Sequence, residues 1–487
     1  MDITIIPGAV EGEVDPPSSK SYAQRAIAAA LLADGTSVLS GSGNGRSELA
    51  GSSSGGERKE VLHGNASVLS GIEMCDDTEA ALRVVQALGA SVENTAHGTY
   101  SIRGGLSPLS NVLDIGESGL STRLFTPIAA LCRTPITITG HGSIMRRPME
   151  MMLGPLRELG VEVTDNHGHL PITVRGPMIG ASDGAIEIDG SGRNADGDST
   201  GTLSGSERGK VRESVIHIDG SVSSQFLTGL LMALPLAAGD TTIRVRDLRS
   251  IPYIDMTIDT MRRFGVEIDH RDYEEFYIPG GQRYRPTSMK IEGDWSAASC
   301  LLVAGAVAGE VTVRNLNPVS LQADVRIIEA LSAAGAHIVQ TEDSVTVSRR
   351  ELRPFSFDAT DCPDLFPALA ALAASCEGVS TISGTRRLAH KESDRAAAIR
   401  SEYGRLGVEV DLSEENVMRI TGGAIRGGRG AESGIEVDSH ADHRMAMSLA
   451  VAALSAGGPV VILGAECVSK SYSDFWEDFE RIKKTGL

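Results

Sequence analysis

The apolar and polar positions of this chain recur in blocks. Six segments have the pattern of an amphipathic helix that ends in an apolar residue and a glycine, usually followed by the alternation typical of a strand. The glycines are Gly89, Gly160, Gly265, Gly335, Gly407 and Gly486, at spacings of 71, 105, 70, 72 and 79 residues. A recurrence at this period predicts a repeated structural unit.

Each block also contains a second helix with a polar start and a body rich in alanine and other small residues. These helices begin near Ser18, Glu117, Gly220, Asp294, Asp361 and Asp442. A helix that is apolar on all sides is buried rather than laid on a surface. We therefore expect two bundles of three parallel inner helices, each covered by sheets, with the helix starts facing a shared crevice.

Two Ser/Gly-rich stretches account for the irregular spacing. The sequence SVLSG occurs at Ser37 and again at Ser67, and IxIDGS occurs at Ile186 and again at Ile216. Between the copies the composition is that of loops. We expect surface insertions near 42–66 and 191–215, whose small basic patches leave open a docking role. Without the second insertion, the spacing of 105 residues becomes 75.

Strands interleaved with helices at this period predict an α/β protein of two domains with three blocks each. We place the first domain at residues 19–290. The second takes residues 1–18 and 291–487, because the N-terminal strand before Pro16 is expected to return to it. The helix starts would then give the crevice between the domains a positive field.

Composition narrows the class of partner. The chain has 487 residues, 41% hydrophobic, and a net charge of −19, which argues against nucleic acid or an anionic membrane as its main partner. The apolar runs are too short to span a membrane, and the start MDITIIPGAV has no basic leader, so we expect a cytoplasmic protein. Six cysteines without ligand spacing predict reduced thiols and no metal site.

The segment 16–35, PPSSKSYAQRAIAAALLADG, carries the first chemical signal. We expect its serines to cap a helix that ends at Gly35, with Lys20, Ser21 and Arg25 in the first turn. Cations at the positive end of a helix dipole favour a bound anion between them. A capped surface helix with two solvated charges is the ordinary alternative.

Further polar residues stand at equivalent helix starts or in the loops beside them. They are Gly119, Arg147, Ser223, Ser224, Gln225, Tyr253, Asp364, Lys391, Glu392, Arg395, His443, Arg444 and Lys470. Each has an ordinary explanation: Ser223 and Ser224 as caps, Glu392 with Arg395 as a helical pair, Lys470 as a surface charge. Their equivalent places in the repeats favour one anion-binding site in which the arginines dominate the affinity.

These residues also carry a family resemblance. PPSSKSYAQRA, GSVSSQFLTGLLMALPLA, PYIDMT, HKESDR, DHRMAM and the lysine of CVSKSY, in this order and spacing, resemble the EPSP synthase (3-phosphoshikimate 1-carboxyvinyltransferase) family across the chain apart from the two insertions. The resemblance implies a two-domain inverted α/β barrel, EPT/RTPC-like, with three βαβαββ repeats per domain. It also implies transfer of the enolpyruvyl group of phosphoenolpyruvate to the 5-hydroxyl of shikimate 3-phosphate, with release of phosphate.

The resemblance further implies two sets of binding residues. Shikimate 3-phosphate would be held by Lys20, Ser21, Arg25, Ser223, Ser224, Gln225, Ser250, Tyr253, Asp364, Arg387 and Lys391. Phosphoenolpyruvate would be held by Lys20, Gly119, Arg147, Gln225, Glu392, Arg395, His443, Arg444 and Lys470. We expect no cofactor, no partner beyond the two small-molecule substrates, and a monomer.

The reaction needs a proton for the methylene carbon of phosphoenolpyruvate and a base for the attacking hydroxyl. We expect Asp364 to be the base and Glu392 to protonate and later deprotonate the methyl carbon, in environments that differ. Lys20 and Lys470 would meet charge on the phosphate. Two positions depart from the family pattern: Arg387 replaces a frequent Asn, and Glu117 replaces the Asn that precedes Ala-Gly.

Two alternatives stay open. One is an enolpyruvyl transferase acting on UDP-N-acetylglucosamine, which usually carries a reactive cysteine in the loop that here reads GHGSIMRRP. The other is a non-catalytic anion-binding scaffold on the same fold, with the insertions as docking arms. That alternative predicts a missing acid or arginine among the matched positions.

Overall fold

The computed structural model describes residues 1–34, 65–178, 214–221, 223–428 and 434–484. The helices in these ranges are α1 (Lys20–Leu32), α2 (Asp76–Ala87), α3 (Gly119–Ala129), α4 (Glu150–Glu158), α5 (Gln225–Ala233), α6 (Ile251–Arg263), α7 (Trp295–Ala308), α8 (Ile327–Ala334), α9 (Phe366–Ala374), α10 (Arg395–Arg405), α11 (His443–Ala453) and α12 (Phe475–Ile482).

The strands are mostly short. They are β1 (Ile3–Ile5), β2 (Val10–Val14), β3 (Ser67–Ser70), β4 (Ser91–Ala96), β5 (Thr99–Arg103), β6 (Val112–Asp114), β7 (Ile136–Thr139), β8 (Glu162–Asn166), β9 (His169–Arg175), β10 (Ser214–Asp219), β11 (Thr241–Arg246), β12 (Asp269–Arg271), β13 (Glu275–Ile278), β14 (Ser288–Lys290), β15 (Gly309–Arg314), β16 (His337–Gln340), β17 (Ser344–Ser348), β18 (Ser356–Asp358), β19 (Gly378–Ser383), β20 (Glu409–Asp411), β21 (Val417–Gly422), β22 (Ile435–Asp438) and β23 (Val460–Leu463).

The helix–glycine–strand pattern is present in five of the six predicted blocks. Gly89, Gly160, Gly265, Gly335 and Gly407 follow α2, α4, α6, α8 and α10 with φ between +78° and +113°. A residue with a Cβ pays a steric penalty in this left-handed region, which is why glycine ends each helix. The strands that follow are β4, β8, β12, β16 and β20. The sixth glycine, Gly486, lies outside the described residues.

The described strands form six separate sheets, and none of these closes on itself. Five sheets share one strand order, of which β6-β7-β9-β8 is an example. In that sheet β6 and β7 are parallel, while β9 is antiparallel to both β7 and β8. A parallel pair requires a crossover helix and an antiparallel pair a short turn, so each sheet corresponds to one repeat.

The inner helices form the two expected bundles. Helix α3 contacts α1 and α5, and α7, α9 and α11 contact one another. Every residue of α7 and α9 is buried, because small side chains allow close packing on all sides. One apolar core runs from Tyr22 to Ile291. A second runs from Trp295 to Ile482 and also includes Ile5, Val10 and Val14.

The chain therefore crosses between two halves twice. Strands β1 and β2 pair with β23 and β15, so residues 1–15 belong with residues 295–484, which we call the second half. Strand β14 pairs with β3 in the first half, residues 20–290. The crossing segments 16–19 and 291–294 lie side by side, with the amide of Ser19 donating to the carbonyl of Glu292 at 2.7 Å. The predicted boundary after residue 290 falls in the second crossing.

Several expectations lie outside the described residues. Of the predicted insertions near 42–66 and 191–215, only residues 65, 66, 214 and 215 are described, and Gly35 and the first copies of both repeated sequences are not. The second copies form β3 and β10. In the described ranges, none of the helices has the length and apolar character needed to cross a membrane. All six cysteines are free, and five are buried.

Candidate active site

The starts of all six inner helices line one open cavity between the halves, with about 1170 Å³ of empty space including its open mouth. The first half contributes from α1, α3 and α5, and the second from α7, α9 and α11. Fifteen of the eighteen predicted site residues line it: Lys20, Ser21, Gly119, Arg147, Ser223, Ser224, Gln225, Ser250, Tyr253, Asp364, Arg387, Lys391, Glu392, His443 and Arg444. Arg25, Arg395 and Lys470 do not.

The start of α1 is fixed differently from the prediction. We expected its serines to cap the helix, but Ser19 makes no cap hydrogen bond and donates instead to Gln322 at 3.0 Å. The backbone amide of Lys20 is satisfied by the Asp294 carboxylate of the second half, at 3.2 Å. Asp294 also caps α7 through the amide of Ala297. Asp294 thus accepts hydrogen bonds from the starts of α1 and α7, which lie in different halves. It can do so because a charged carboxylate satisfies more than one amide.

The ammonium group of Lys20 lies 2.9 Å from the Asp77 carboxylate. Burial alone would lower the pKa of Lys20, but the charge of Asp77, together with Cys75 and Glu392, outweighs it and the pKa is raised. Lys20 is therefore a charged group in the cavity wall at neutral pH.

Arg25 points away from the cavity. Its guanidinium donates to the hydroxyl of Thr257 and to the carbonyls of Ser21 and Tyr253. It ties α1 to α6 and fixes the backbone of two residues that do line the cavity. Contact between Arg25 and a substrate stays a prediction.

Arg395 is fully enclosed by carboxylates. It donates to Asp364 at 2.6 Å, to Glu392 at 2.6 Å and to Asp442 at 2.7 Å. These carboxylates offset the cost of burying the charge of Arg395. Glu392 and Arg395 are thus paired, as the ordinary explanation held, but in a buried cluster rather than on a helix surface.

The two candidate catalytic carboxylates have more similar environments than expected. Burial would raise the pKa of Asp364, but Arg444, Lys391 and Arg395 hold it well below its usual range. Burial would likewise raise the pKa of Glu392, but Arg147, Arg395, Lys470 and His443 lower it well below its usual range. Cations surround both groups and keep both ionised. That their environments differ in the way the two roles require stays a prediction.

Several buried side-chain nitrogens in the cavity wall have no hydrogen-bond partner. Among the described residues, buried polar atoms with no hydrogen-bond partner include Nε of Arg123, Nε and Nη2 of Arg147, and both ring nitrogens of His443. The Nη2 atom of Arg147 lies 3.2 Å from Glu392, without hydrogen-bond geometry. Buried donors are almost always satisfied in folded proteins, so a cluster of unsatisfied ones points to an anionic ligand.

Other contacts join the halves across the cavity. Arg387 donates to the hydroxyl of Ser250 at 2.5 Å, and the hydroxyl of Tyr253 donates to Asp324 at 3.3 Å. Within the second half, Arg444 donates to Ser296 and lies 3.5 Å from Asp364. Lys470 is buried, with 9% of its side chain exposed, so it is not the solvated charge of the ordinary explanation.

Several lining residues were not among the predicted site residues, including Arg123, Asp294, Gln322 and Asp324. Arg123 lies one turn after Gly119, and its guanidinium donates to Gly119 and to Gln225. That i+4 spacing could have identified it. Burial, with the charge of Arg147, lowers the pKa of Arg123 to about 9. Gln322 and Asp324 lie in a turn whose sequence, LQADVR, gives no signal of its own.

In the described part of the chain, no group of three or more His, Cys, Asp or Glu side chains is placed to hold a metal ion. The cavity wall instead supplies cations, hydroxyls and five carboxylates, among them Asp364 and Glu392. This inventory suits two anionic organic substrates and proton transfer between them.

Comparison with known sequences places this arrangement in a family. The sequence profile described as EPSP synthase (3-phosphoshikimate 1-carboxyvinyltransferase) matches residues 60–200 and 202–479. The chain belongs to the EPSP synthase family. The 3-phosphoshikimate 1-carboxyvinyltransferase of Clostridium novyi (strain NT) is 30% identical, covering 99% of this chain and 97% of the relative. The corresponding protein of Methanoculleus marisnigri is 34% identical, covering 96% of each.

Solved structures show the same fold. EPSP synthase from Acinetobacter baumannii superposes with a TM-score of 0.72 at 24% identity, covering 99% of this chain and 98% of that one. The enolpyruvyl transferase NikO from Streptomyces tendae gives 0.68 at 16% identity, covering 99% and 97%. The predicted family and fold class are confirmed.

Proposed function

We propose that this chain transfers the enolpyruvyl group of phosphoenolpyruvate to the 5-hydroxyl of shikimate 3-phosphate and releases phosphate. The observation that carries the proposal is the convergence of six helix starts on one cavity whose buried Arg123, Arg147 and His443 atoms lack partners. The two substrates together bring two phosphates and two carboxylates. A protein of net charge −19 can bind them only where its cations are concentrated.

Within the proposal, the two substrates lie side by side across the cavity. Shikimate 3-phosphate contacts the hydroxyl-rich wall: Ser21, Ser223, Ser224, Ser250, Tyr253, Arg387 and Lys391. Phosphoenolpyruvate lies against Gly119, Arg147, His443 and Arg444, with Lys20 and Gln225 between the two. Arg25 and Arg395 act from behind, by fixing the groups they bond.

In the first step the oxygen of the 5-hydroxyl attacks C2 of phosphoenolpyruvate, and Asp364 takes the proton of that hydroxyl. Asp364 is ionised and can therefore accept this proton. A proton is added to C3, and the resulting tetrahedral intermediate then loses phosphate and a proton from C3 to restore the double bond. Lys20 is placed to meet charge on the departing phosphate.

Glu392 must carry a proton to deliver it to C3, although surrounding cations keep it ionised. A bound phosphoenolpyruvate anion competes for Arg147 and adds negative charge nearby. Both effects raise the pKa of Glu392. We infer that substrate binding itself prepares Glu392 as the acid.

The test is phosphate release from phosphoenolpyruvate with shikimate 3-phosphate or UDP-N-acetylglucosamine as acceptor. We expect release only with shikimate 3-phosphate, and at least a 100-fold lower kcat for Asp364→Asn and Glu392→Gln, the usual scale for general acid–base catalysis. Glu409→Gln in the exposed part of β20 serves as the control. Release with neither acceptor would leave the non-catalytic scaffold, and near-normal kcat in both variants would refute the assignment of roles.

The proposal also includes a monomer that acts on free small molecules in the cytoplasm. Sedimentation of the purified chain tests the monomer, for which a mass near 51.2 kDa is expected. A stable larger species would contradict it.

A further inference from the structure

A second cavity opens between the halves beside the first. It is bounded by the start of α2 and the loop before α3 on one side, and by the 3-10 turn Ala465–Lys470 on the other. Asp77 lines both cavities, whereas Lys470 lines only the second. The predicted phosphoenolpyruvate ligand Lys470 therefore stands at the partition and lines the second cavity rather than the main one.

The ammonium group of Lys470 is held there by one carboxylate. It is buried without a hydrogen-bond partner, and Glu117 Oε2 lies 3.7 Å away. Its charge still acts on Glu392 and His443 in the main cavity wall. A lysine ammonium is a point charge on a flexible four-carbon stem, so it can turn from one anion to another without movement of the backbone.

Glu117, by contrast, is fixed in place. Its Oε2 accepts hydrogen bonds from the amide and the hydroxyl of Ser143, at 3.2 and 3.1 Å. Gly142 leaves the space for this carboxylate, since a Cβ at that position would overlap it. The loop that clasps Glu117 leads directly to Arg147. Glu117 is thus a fixed counter-ion, whereas Lys470 carries its charge on a flexible stem.

We propose that Glu117 holds Lys470 outside the main cavity and that an anionic substrate must compete with Glu117 to bind Lys470. Glu117 is then a positioning residue that sets the affinity for the phosphate group of phosphoenolpyruvate. The identity of that anion rests on the proposed function; the competition between two anions for one ammonium does not. About a third of the Glu117 side chain is exposed, so the ion pair is of moderate strength.

The test is a set of four proteins: wild type, Glu117→Gln, Lys470→Met and the double variant. Glutamine keeps an oxygen for Ser143 and removes only the charge. We expect Glu117→Gln to lower KM for phosphoenolpyruvate roughly two- to fivefold, the upper part of the range of a partly exposed ion pair, while kcat changes less than twofold. In the Lys470→Met background the same change should shift KM less than twofold. Glu79→Gln, which neutralises an acid of the same cavity paired with Arg83, should behave as wild type.

A binding measurement separates this inference from the proposed function. Inorganic phosphate is titrated calorimetrically into the same proteins, with and without shikimate 3-phosphate, where no turnover occurs. Tighter binding to Glu117→Gln that disappears with Lys470→Met supports the inference even if no enolpyruvyl transfer is found. Unchanged or weaker binding to Glu117→Gln, no measurable binding to either protein, or equal tightening in the Lys470→Met background would overturn it.

Discussion

Gly119 leaves the space in which two arginines approach the start of α3. A Cβ at this position would lie 2.7 Å from Nη1 of Arg147 and 3.0 Å from Nη1 of Arg123. Both contacts are too close for a carbon atom, so Gly119→Ala must displace the guanidinium groups by some tenths of an ångström or more. Because both are the far ends of flexible side chains, the fold should tolerate this movement.

The expected loss is that of about one charge-assisted hydrogen bond. Such bonds contribute about 1.5–3 kcal/mol, which corresponds to a roughly 10- to 150-fold rise in KM for phosphoenolpyruvate. KM for shikimate 3-phosphate should change little, since Arg147 and Arg123 lie on the other side of the proposed site. Stability should be unchanged or slightly higher, because alanine is the better helix former.

Steady-state phosphate release at varied phosphoenolpyruvate measures the effect, and thermal unfolding monitors the fold. Gly154→Ala is the matched control, because this glycine of α4 has nothing within 4 Å of an added Cβ. If Gly119→Ala left KM for phosphoenolpyruvate within twofold of wild type, the assignment of this cavity wall to that substrate would be refuted.

Three further predictions concern buried charge and backbone strain. Lys20→Met should lower kcat/KM for phosphoenolpyruvate at least 100-fold and also lower Tm, because buried Asp77 loses its partner. Adding Asp77→Asn to this variant should restore Tm but not activity, and recovered activity would contradict the role of Lys20. Burial, with the charge of Asp364, raises the pKa of Asp324 to about 7. Between pH 4 and 7 the folded state therefore binds a proton that the unfolded state has lost. The free energy of unfolding should fall by about 2–4 kcal/mol as the pH rises through this range. Urea unfolding of Asp324→Asn should lack that slope, and an equal slope in both proteins would exclude Asp324 as its source. Ala441 has a φ of +54°, in the left-handed region, so Ala441→Gly should relieve about 1 kcal/mol of strain and raise Tm by about 1–2 °C. A lower Tm in calorimetry would show that this turn is not strained.

The fold was predictable because its signals are local. A glycine can end a helix with little help from its surroundings, since it enters the left-handed conformation without steric cost, and five of the predicted glycines adopt it here. Helices made of small residues must be buried, which placed six of them inside. The start of α1 shows the limit: the sequence offers two serines as caps, but the acceptor used is Asp294, 274 positions away.

The site divides in the same way. Motifs at helix starts determined which side chains face the cleft, and fifteen of eighteen do so. Only the tertiary structure decided how their charges are compensated. Arg395 is enclosed by three carboxylates from separate segments, and Lys470 is turned toward Glu117. The physical reason is that charge acts through space. The pKa of Glu392 and the orientation of Lys470 depend on neighbours that the fold brings close, whereas each helix forms from the residues of its own segment.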